Sequence, residues 1–569
     1  MQWSGRRRIG VASGLAVLAM WAGSAAGQVD TLRVVVNKDN ANSGTALSSF
    51  GYDPTTDTMY TTSFGASGKV RRISNVGGAQ VVTTMVSEAQ IQLYYRDGDG
   101  DRGVSNPTQS GLVLNPLPVG AAPAYSFGVI SDIANTRFPA SSDVDSSVTK
   151  RLYRYNLQQP PSGGDGRDVF TTLMTLGQTA ALSGNPTSTT SDFGRQGAFS
   201  LDGQSFYSID GSTSNGIGGL YKTDLATGTT TKVMTSPDIN TEPAVVANPG
   251  GGERILFRGM AATGNAGGVS YVVNNGATTG APQVLLSAAT LNSFFERTTG
   301  ASDVRAMSTD AAGNVYMFDT TSGSLLRLDP QGRLSKVLTK NERFAFRDQR
   351  GNTDNVNTNI IRQQPRTVTH ATAGQVTEVL YMESSPQSFV TGVYAFAPGD
   401  FDRDGLLTAT DVALFKPALK TRGTTQALAG GFKFDMNGPT TSTQLTTTVV
   451  DWKDVKLVQP FFDFGDGDVD INGIVDFTDF QILQNNFGTT GVNTWLQGDL
   501  DGDNDVDFTD FQYLQNSFGY ESSVLTGATA AAFDKGAWDA FVASAVPEPG
   551  ALGVVGIGAL AALGRRRRA

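Results

Sequence analysis

Residues 307–338 read MSTDAAGNVYMFDTTSGSLLRLDPQGRLSKVL, and they contain one complete unit of a repeat that recurs along most of this chain. A first run ends in an Asp/Gly turn, a second run contains Tyr316, and a third run alternates apolar and polar residues over 325–329. A turn at Gly332 then leads into a fourth run over residues 334–338. Short runs bounded by such turns are typical of β-strands, so the unit predicts four short antiparallel strands.

The same order of runs appears in two further stretches, residues 50–73 and residues 199–224. Weaker copies of the alternating third run stand at 151–155, 268–273 and 392–396. These six copies within residues 29–398 predict a mainly β fold, namely a β-propeller with six or seven blades of four strands each. The segment resembles extracytoplasmic β-propellers. A pair of β-sandwiches is the alternative architecture for the same strands.

The composition of the 569 residues narrows the class of protein. Hydrophobic residues make up 39% and charged residues 17%, and there are 67 glycines. The apolar fraction is enough to build packed cores, which excludes a chain that is disordered throughout, and the many glycines argue against a long helical bundle. The net charge of −10 opposes binding to nucleic acid.

Two residue types are rare or absent, and this limits the chemistry. The chain has no cysteine, which excludes disulfides, thiolate zinc sites and a cysteine nucleophile. Its one histidine, His370, excludes a multi-histidine metal centre, and the alternating pattern around it favours a structural place in a strand over a general base. We find no catalytic constellation, so the sequence predicts no catalytic residues and no enzymatic activity.

An acidic segment follows the repeats. Residues 400–510 hold 19 Asp, no Glu and 7 Lys or Arg, so this segment alone carries a charge of −12. Such a block is either disordered or neutralised by cations. The spacing favours cations, because three twelve-residue loops place ligands at positions 1, 3, 5, 7, 9 and 12. The predicted ligands are Asp400, Asp402, Asp404, Leu406, Thr408, Asp411, Asp468, Asp470, Asn472, Ile474, Asp476, Asp479, Asp499, Asp501, Asp503, Asp505, Asp507 and Asp510.

The ligand chemistry of these loops points to Ca²⁺ as the cofactor. Calcium takes six to eight oxygens, and a main-chain carbonyl supplies the ligand at position 7. Gly405 and Gly473 occupy position 6 of the first two loops, and Asn504, which also tolerates a left-handed backbone, takes this place in the third. Because the carboxylates of an empty loop repel each other, we expect the segment to fold only when the metal is present.

A helical pattern follows each loop. Apolar residues at 477, 480, 483 and 487 lie on one face of a helix that ends before Gly488, and the pattern returns 31 residues later, from Phe508 to Phe518. The phenylalanines at these positions are predicted to form the core between paired units.

A calcium loop followed by one helix, in duplicate, resembles the dockerin type I module, whose units lack the entering helix of a full EF-hand. The resemblance covers residues 399–520 and implies a small α array that binds calcium. A fourth unit is degenerate, because Asp454 follows Asp435 after 19 residues instead of 11, and Asn437 stands at its position 3. Cellulosomal dockerins bind cohesins, so the resemblance implies a cohesin-like partner. A calcium-rigidified spacer is the alternative.

The two ends of the chain resemble export and sorting signals. Residues 1–27 combine three arginines, an apolar run and small residues, which predicts a secretory signal peptide. Residues 546–569 combine Pro-Glu-Pro, an apolar stretch and four arginines, and they resemble the PEP-CTERM sorting signal. This resemblance implies an exosortase-type processing enzyme and membrane contact through a C-terminal hydrophobic helix. An ordinary single-span anchor is the alternative, and residues 521–545 are predicted to be a linker.

Together these features predict an exported protein of the cell envelope, the cell surface or the extracellular space. Residues 28–398 would form a propeller for recognition or scaffolding, and an exopolysaccharide or an envelope protein would be its partner, as the sorting signal implies. The alternative is a secreted glycoside hydrolase or lyase that the dockerin-like array holds on a scaffold or polysaccharide.

Overall fold

The computed structural model describes residues 32–37, 47–63, 70–87, 90, 109–118, 123–132, 150–158, 162, 169–175, 182, 193–210, 219–235, 242–261, 264–275, 280–298, 302–349, 360–383, 389–427, 433–438, 447–491 and 493–526. The signal peptide predicted over 1–27 and the sorting segment predicted over 546–569 lie outside these residues. No helix in the described part of the chain is long and apolar enough to cross a membrane.

Six four-stranded antiparallel sheets form the blades of a propeller. The described chain begins with β1 (Leu32–Asn37). Blade 1 contains β2 (Leu47–Asp53), β3 (Thr58–Ser63), β4 (Val70–Ser74) and β5 (Val81–Val86). Blade 2 contains β6 (Gln109–Leu114), β7 (Phe127–Asp132), β8 (Lys150–Asn156) and β9 (Phe170–Thr175). Blade 3 contains β10 (Phe193–Phe199), β11 (Ser205–Asp210), β12 (Gly219–Asp224) and β13 (Thr230–Thr235).

The other three blades complete the ring. Blade 4 contains β14 (Ala244–Ala247), β15 (Glu253–Arg258), β16 (Val269–Asn274) and β17 (Gln283–Leu286). Blade 5 contains β18 (Val304–Thr309), β19 (Val315–Asp319), β20 (Ser324–Leu328) and β21 (Leu334–Leu338). Blade 6 contains β22 (Ile360–His370), β23 (Gly374–Glu383), β24 (Phe389–Tyr394) and, from the start of the described chain, β1.

The ring is closed by a strand from the opposite end of the propeller. β1 pairs antiparallel with β24, so that Leu32 lies opposite Val393 and Asn37 opposite Phe389. The first strands of neighbouring blades contact each other all the way round, and β22 contacts β2. The propeller therefore has six blades, which confirms the lower of the two predicted blade numbers. The alternative of two β-sandwiches is wrong, because the sheets follow one another around a closed circle.

The repeat in the sequence corresponds to the third strand of each blade. The six alternating runs recognised above coincide with β4, β8, β12, β16, β20 and β24. One apolar cluster lies between each pair of neighbouring blades, so a strand buries side chains on both of its faces. In β11, for example, Phe206 packs between blades 2 and 3 while its neighbour Tyr207 packs between blades 3 and 4.

Helices are few in the propeller and dominate the array. Among the described residues, the blade connections contain α1 (Ala288–Phe294) and α2 (Lys340–Gln349). The array contains α3 (Ala409–Phe415), α4 (Trp452–Phe462), α5 (Phe477–Asn486), α6 (Phe508–Ser517) and the short α7 (Ser523–Thr526). It also has two 3-10 turns, Lys416–Ala418 and Trp495–Gln497, and the two-stranded pair β25 (Thr425–Ala427) and β26 (Thr447–Val449).

The array packs directly against the propeller. Leu457 of α4 contacts the apolar cluster between blades 4 and 5. The Arg333 guanidinium donates a 3.1 Å hydrogen bond to the Pro460 carbonyl and lies 4.5 Å from the centre of the Phe461 ring. On blade 6, the Thr372 hydroxyl donates a 2.8 Å hydrogen bond to the Arg403 carbonyl. These contacts hold the array on blades 4 to 6.

One prediction about the array helices is wrong in part. Leu483 and Phe518 are buried as expected, but Phe477, Phe487 and Phe508 are 44%, 54% and 40% exposed. Helical periodicity places these rings on the same side as the buried residues, yet Phe477 and Phe508 begin their helices and Phe487 follows the end of one, where the core covers less of the side chain. Besides Phe518, the core of the array contains aromatic side chains from outside these positions, including the fully buried Trp495.

Candidate metal centre

The three predicted calcium loops share one backbone conformation; we call residues 400–411 loop 1, 468–479 loop 2 and 499–510 loop 3. In loop 2, Asp468 accepts hydrogen bonds from the Asn472 and Gly473 amides at 3.0 and 2.8 Å. Asp479 accepts from the Val469 amide at 2.7 Å and from the Asp476 amide at 2.8 Å. The backbone thus holds the carboxylates of positions 1 and 12 in place.

Loops 1 and 3 repeat these hydrogen bonds. The Gly405 amide donates to Asp400 at 3.1 Å, and the Phe401 amide donates to Asp411 at 2.7 Å. In loop 3 the corresponding amides, those of residues 504 and 500, donate to Asp499 at 3.1 Å and to Asp510 at 2.6 Å. Since the same amides meet the same carboxylates three times, the loops are copies in geometry as well as in spacing.

The turn of each loop requires a left-handed backbone at two positions. Position 6 has φ of +89°, +94° and +73° at Gly405, Gly473 and Asn504, as the sequence predicted. Position 4 is also left-handed, with φ of +62° at Arg403, +50° at Ile471 and +77° at Gly502. Sequence reasoning missed position 4, because only loop 3 marks it with a glycine, whose added Cβ would lie 2.5 Å from the Trp452 ring.

The structure brings the carboxylates of positions 1, 3 and 12 together in every loop. In each loop these three acidic residues offer ligand atoms that all lie within 4.8 Å of one another. Positions 7, 9 and 12 of loop 3 form a further group of this kind. The three sets that share positions 1, 3 and 12 are Asp400, Asp402 and Asp411; Asp468, Asp470 and Asp479; and Asp499, Asp501 and Asp510.

The remaining predicted ligands have local roles in the structure. Position 9 caps the following helix in all three loops: Thr408, Asp476 and Asp507 accept from the amide two residues ahead. Position 5 accepts from the amide of position 7, as the 2.8 Å bond from the Leu406 amide to Asp404 shows. Asn472 and Asp503 make the same contact with Ile474 and Asp505. Their coordination of a metal, and that of the position 7 carbonyls, stays a prediction.

The residues present fit a hard cation such as calcium. One carboxylate oxygen each of Asp400, Asp470 and Asp505 is buried without a hydrogen-bond partner, and these three atoms belong to the three loops. A buried unpaired carboxylate oxygen is costly, whereas a cation at that point would satisfy it. The predicted set is built from oxygen donors alone, and oxygen-only sites suit calcium rather than zinc or copper.

The acid–base state of the loops supports the same conclusion. Burial raises the pKa of Asp468 to about 8, and the neighbouring Asp479 charge adds to this. Burial also raises the pKa of Asp479 to about 7. In loops 1 and 3, burial raises the pKa values of Asp400, Asp499 and Asp510 to about 6. Each loop therefore holds negative charge at a cost that a bound cation would offset.

The fourth, degenerate unit is held by protein groups. Asp454 takes the place of position 12, because it accepts from the Met436 amide at 2.5 Å and from the Asp451 amide at 2.8 Å. Asp435 accepts from the Gly438 amide at 2.6 Å and from the Thr448 hydroxyl. The Lys336 ammonium of blade 5 donates to the Asp435 main-chain carbonyl. A lysine of the propeller thus supplies positive charge at this unit.

The propeller gives His370 a structural place. The ring lies at the end of β22 and makes edge-on contacts with Tyr394 and Phe396, with ring centres 4.9 and 5.2 Å apart. Its Nδ1 lies 3.0 Å from the Thr372 hydroxyl in the turn to β23. Within the described residues, groups of three or more acidic side chains close enough to share a metal occur in the array and not in the propeller.

Comparisons with known proteins find the fold and no family. No family model matches the sequence, and no curated protein matches it. Among solved structures, a gluconolactonase from Xanthomonas campestris matches with 9% identity and a TM-score of 0.35, over 65% of this chain and 96% of the other. A calcium-binding regucalcin from Agrobacterium tumefaciens matches with 13% identity and a TM-score of 0.34, over 64% and 93%. A luciferin-regenerating enzyme matches with 11% identity and a TM-score of 0.35, over 62% and 94%.

These matches correct one prediction from the sequence. Two of the matched structures, the gluconolactonase and the luciferin-regenerating enzyme, are enzymes. These two matches contradict the prediction from the sequence that this protein is not an enzyme, and that prediction is withdrawn. At these identities the similarity concerns the fold alone.

Proposed function

We propose that this chain is an exported protein in which calcium ions order a dockerin-like array that packs against a six-bladed propeller. The observation that best supports this proposal is that the same cluster of three carboxylates, which we call the cradle, recurs in all three loops. In each loop, positions 1, 3 and 12 converge within 4.8 Å, and in each loop one buried carboxylate oxygen lacks a hydrogen-bond partner. These oxygens lie at position 1 of loop 1, position 3 of loop 2 and position 7 of loop 3, and a cation bound in each loop would pair them.

Calcium has a structural role in this proposal. Each loop leads into a helix whose N-cap is position 9, so an ion in the loop joins the loop backbone to the first turn of α3, α5 or α6. Three calcium ions bring six positive charges to a segment whose own charge is −12. The ions thus relieve the repulsion between carboxylates that the apolar core of the array brings close together.

A titration of the purified mature protein tests the proposal. Native mass spectrometry and isothermal titration calorimetry should find three calcium ions per chain, one for each loop. Asp479→Asn removes the charge of position 12 in loop 2 and should lower the number to two. Asp466→Asn is the matched control, because Asp466 is an acidic residue of the same segment that pairs with Lys456 and belongs to none of the acidic groups. A number that Asp479→Asn leaves at three contradicts the proposal.

Export and sorting form the second part of the proposal and rest on the two terminal resemblances. Cleavage after residue 27 would release the chain outside the cytoplasm, and an exosortase-type enzyme would then cut near residues 547–549. Intact mass measurement of the protein recovered from the culture should give both new termini. Deletion of residues 546–569 should move the protein from the envelope fraction to the medium. An unprocessed N-terminus would contradict export.

The propeller is the proposed recognition unit, with an exopolysaccharide or an envelope protein as its partner, and a cohesin-like protein as a separate partner of the array. Since the fold is compatible with catalysis, one experiment measures both activities. The full mature protein is incubated with extracted exopolysaccharide, and both retention on the polymer and release of reducing ends or unsaturated ends are recorded. Retention alone supports a binder, and release supports a hydrolase or a lyase held at its substrate.

A further inference from the structure

A cleft separates the outer edge of blades 5 and 6 from loop 1 of the array. It offers a volume of about 80 Å³ and is open to solvent. Its walls come from β21, from the end of β24, and from the first residues of loop 1. A space of this size holds on the order of six water molecules, about the volume of one sugar ring, and small-molecule sites occur preferentially between domains.

Three positively charged side chains line the cleft: Lys336, Arg403 and Lys433. They come from the propeller, from loop 1 and from the chain before the fourth unit, so the fold and not a local run of sequence assembles them. Within the described part of the chain, Lys433 has no ion-pair partner. Its Nζ lies 3.4 Å from the Phe401 carbonyl and 4.8 Å from the centre of the Phe434 ring.

Two acidic residues also line the cleft, and both take part in other interactions of the protein. Glu342 accepts from the Thr339 amide at 2.6 Å and from the Thr339 hydroxyl at 2.9 Å, at the start of α2. Asp400 belongs to the cradle of loop 1. The residues that line the cleft therefore carry one net positive charge, with three cations against two carboxylates.

The rest of the wall is partly aromatic. Tyr394 and Phe396 line the cleft and are half-buried. The Arg403 guanidinium lies 6.0 Å from the centre of the Phe396 ring. Cations next to half-buried aromatic rings suit a ligand that carries an anionic group on a ring with apolar C–H faces.

We propose that this cleft binds a carboxylate-bearing sugar, and that calcium in loop 1 strengthens this binding. The carboxylate would meet Lys433 and the neighbouring cations, and the ring of the sugar would lie against Tyr394 and Phe396. The second half of the proposal rests on the proposed calcium occupancy of loop 1.

The sign of the coupling to calcium follows from the charges. Without metal, Asp400, Asp402 and Asp411 place three carboxylates beside the cleft, and their field opposes an anion. Calcium adds two positive charges at the same point, so the anion binds more tightly when the loop is loaded. Coupling between two sites is reciprocal, so the anion must also tighten calcium binding by the same factor.

Isothermal titration of the full mature protein tests the proposal, with D-glucuronate as the probe and D-glucose as its uncharged counterpart, at buffered free calcium. We expect glucuronate to bind and glucose to bind at least tenfold more weakly. Lys433→Ala should weaken glucuronate about tenfold, as the loss of one charge-assisted contact, and Lys433→Arg should restore it. Lys420→Ala is the matched control, because Lys420 is a lysine of the same array that does not line the cleft. Equal binding of the two sugars, or no effect of Lys433→Ala, contradicts the proposal that the cleft binds a carboxylate-bearing sugar.

Calcium titrations with and without glucuronate test the coupling. We expect one of the three calcium sites to fill at about fivefold lower free calcium when glucuronate is present, and glucose to have no effect. A calcium number of three with no shift overturns the coupling while the proposed function stands. Failure to bind calcium at all overturns the proposed function itself. In that case the first titration alone decides whether glucuronate binds at Lys433.

Discussion

In the propeller, apolar clusters lie between all neighbouring blades, and strand β1 closes the ring by pairing with β24. In the array, a single apolar cluster joins the helices, while the loops that precede α3, α5 and α6 gather carboxylates with buried unpaired oxygens. The propeller thus finds its stabilising partners within the chain. In the proposed function the array also needs bound cations, so its stability should follow the supply of calcium.

Removal of calcium should produce the largest difference in stability between the array and the propeller. If each of three sites binds calcium with a hundredfold excess over its dissociation constant, the ions stabilise the array by about 8 kcal/mol. Differential scanning calorimetry should show a transition that falls steeply in temperature with EGTA, and a propeller transition that stays within about 2 °C, because the described part of the propeller has no acidic group of this kind. A common shift of both transitions would contradict the comparison.

Truncation of the propeller core should have the next largest effect, and calcium should not change it. Phe257 is fully buried between blades 3 and 4. Phe257→Ala should lower the free energy of unfolding of the propeller by about 4 kcal/mol, through lost burial and the cavity left behind. Leu201→Ala is the control, because this side chain is exposed in a turn of blade 3. Chemical denaturation with and without calcium measures both, and a calcium-dependent loss for Phe257→Ala would contradict the prediction.

The pH should act on the calcium-free array with a defined sign. Asp468 and Asp479 have pKa values of about 8 and about 7 in the folded protein, against an ordinary value of 3.8. The folded array therefore holds more protons than the unfolded chain, and its stability falls as the pH rises from about 4 to about 8. We expect a loss of roughly 2 kcal/mol between pH 6 and pH 7 in EGTA.

Calcium should reverse this dependence, because the carboxylates must lose their protons to bind the ion. Calcium affinity should therefore fall as the pH is lowered from 8 to 6. Thermal unfolding in EGTA and calcium titrations at the same pH values check both signs. A calcium-free array that becomes more stable towards pH 8 would contradict a raised pKa of Asp468 in the folded protein.

The smallest effect is expected at the exposed rings of the array helices. Phe477→Ala should change the stability of the array by no more than about 0.5 kcal/mol, because the ring already lies 44% exposed. Leu483→Ala, on the same helix but buried, should cost about 3 kcal/mol. Denaturation of the two variants at saturating calcium compares them directly. A large loss for Phe477→Ala would restore the interpretation of this ring as core.

Local patterns in the sequence were enough for the parts of the molecule that depend on neighbours along the chain. The alternating third strands, the calcium-type loops and the helices after them all arise from spacings of two, three or four residues. The left-handed backbone at position 4 of the loops was not predicted. Arg403 and Ile471 occupy this position in loops 1 and 2, and neither residue type indicates a positive φ. The exposure of Phe477 and Phe508 was not predicted either. Periodicity indicates which face of a helix is apolar, but it does not indicate how far along the helix the core extends.

Other features depend on contacts between distant residues, and only the folded chain reveals them. The closure of six blades requires β1 to meet β24, some 360 residues further on. The cleft brings Lys336, Arg403 and Lys433 to one place because the array packs on blades 4 to 6. The amino-acid order therefore specified the repeating units and the acidic cradles, whose geometry is local. Blade number, docking of the array and the shared cleft were decided by packing in three dimensions, which joins residues that no short spacing relates.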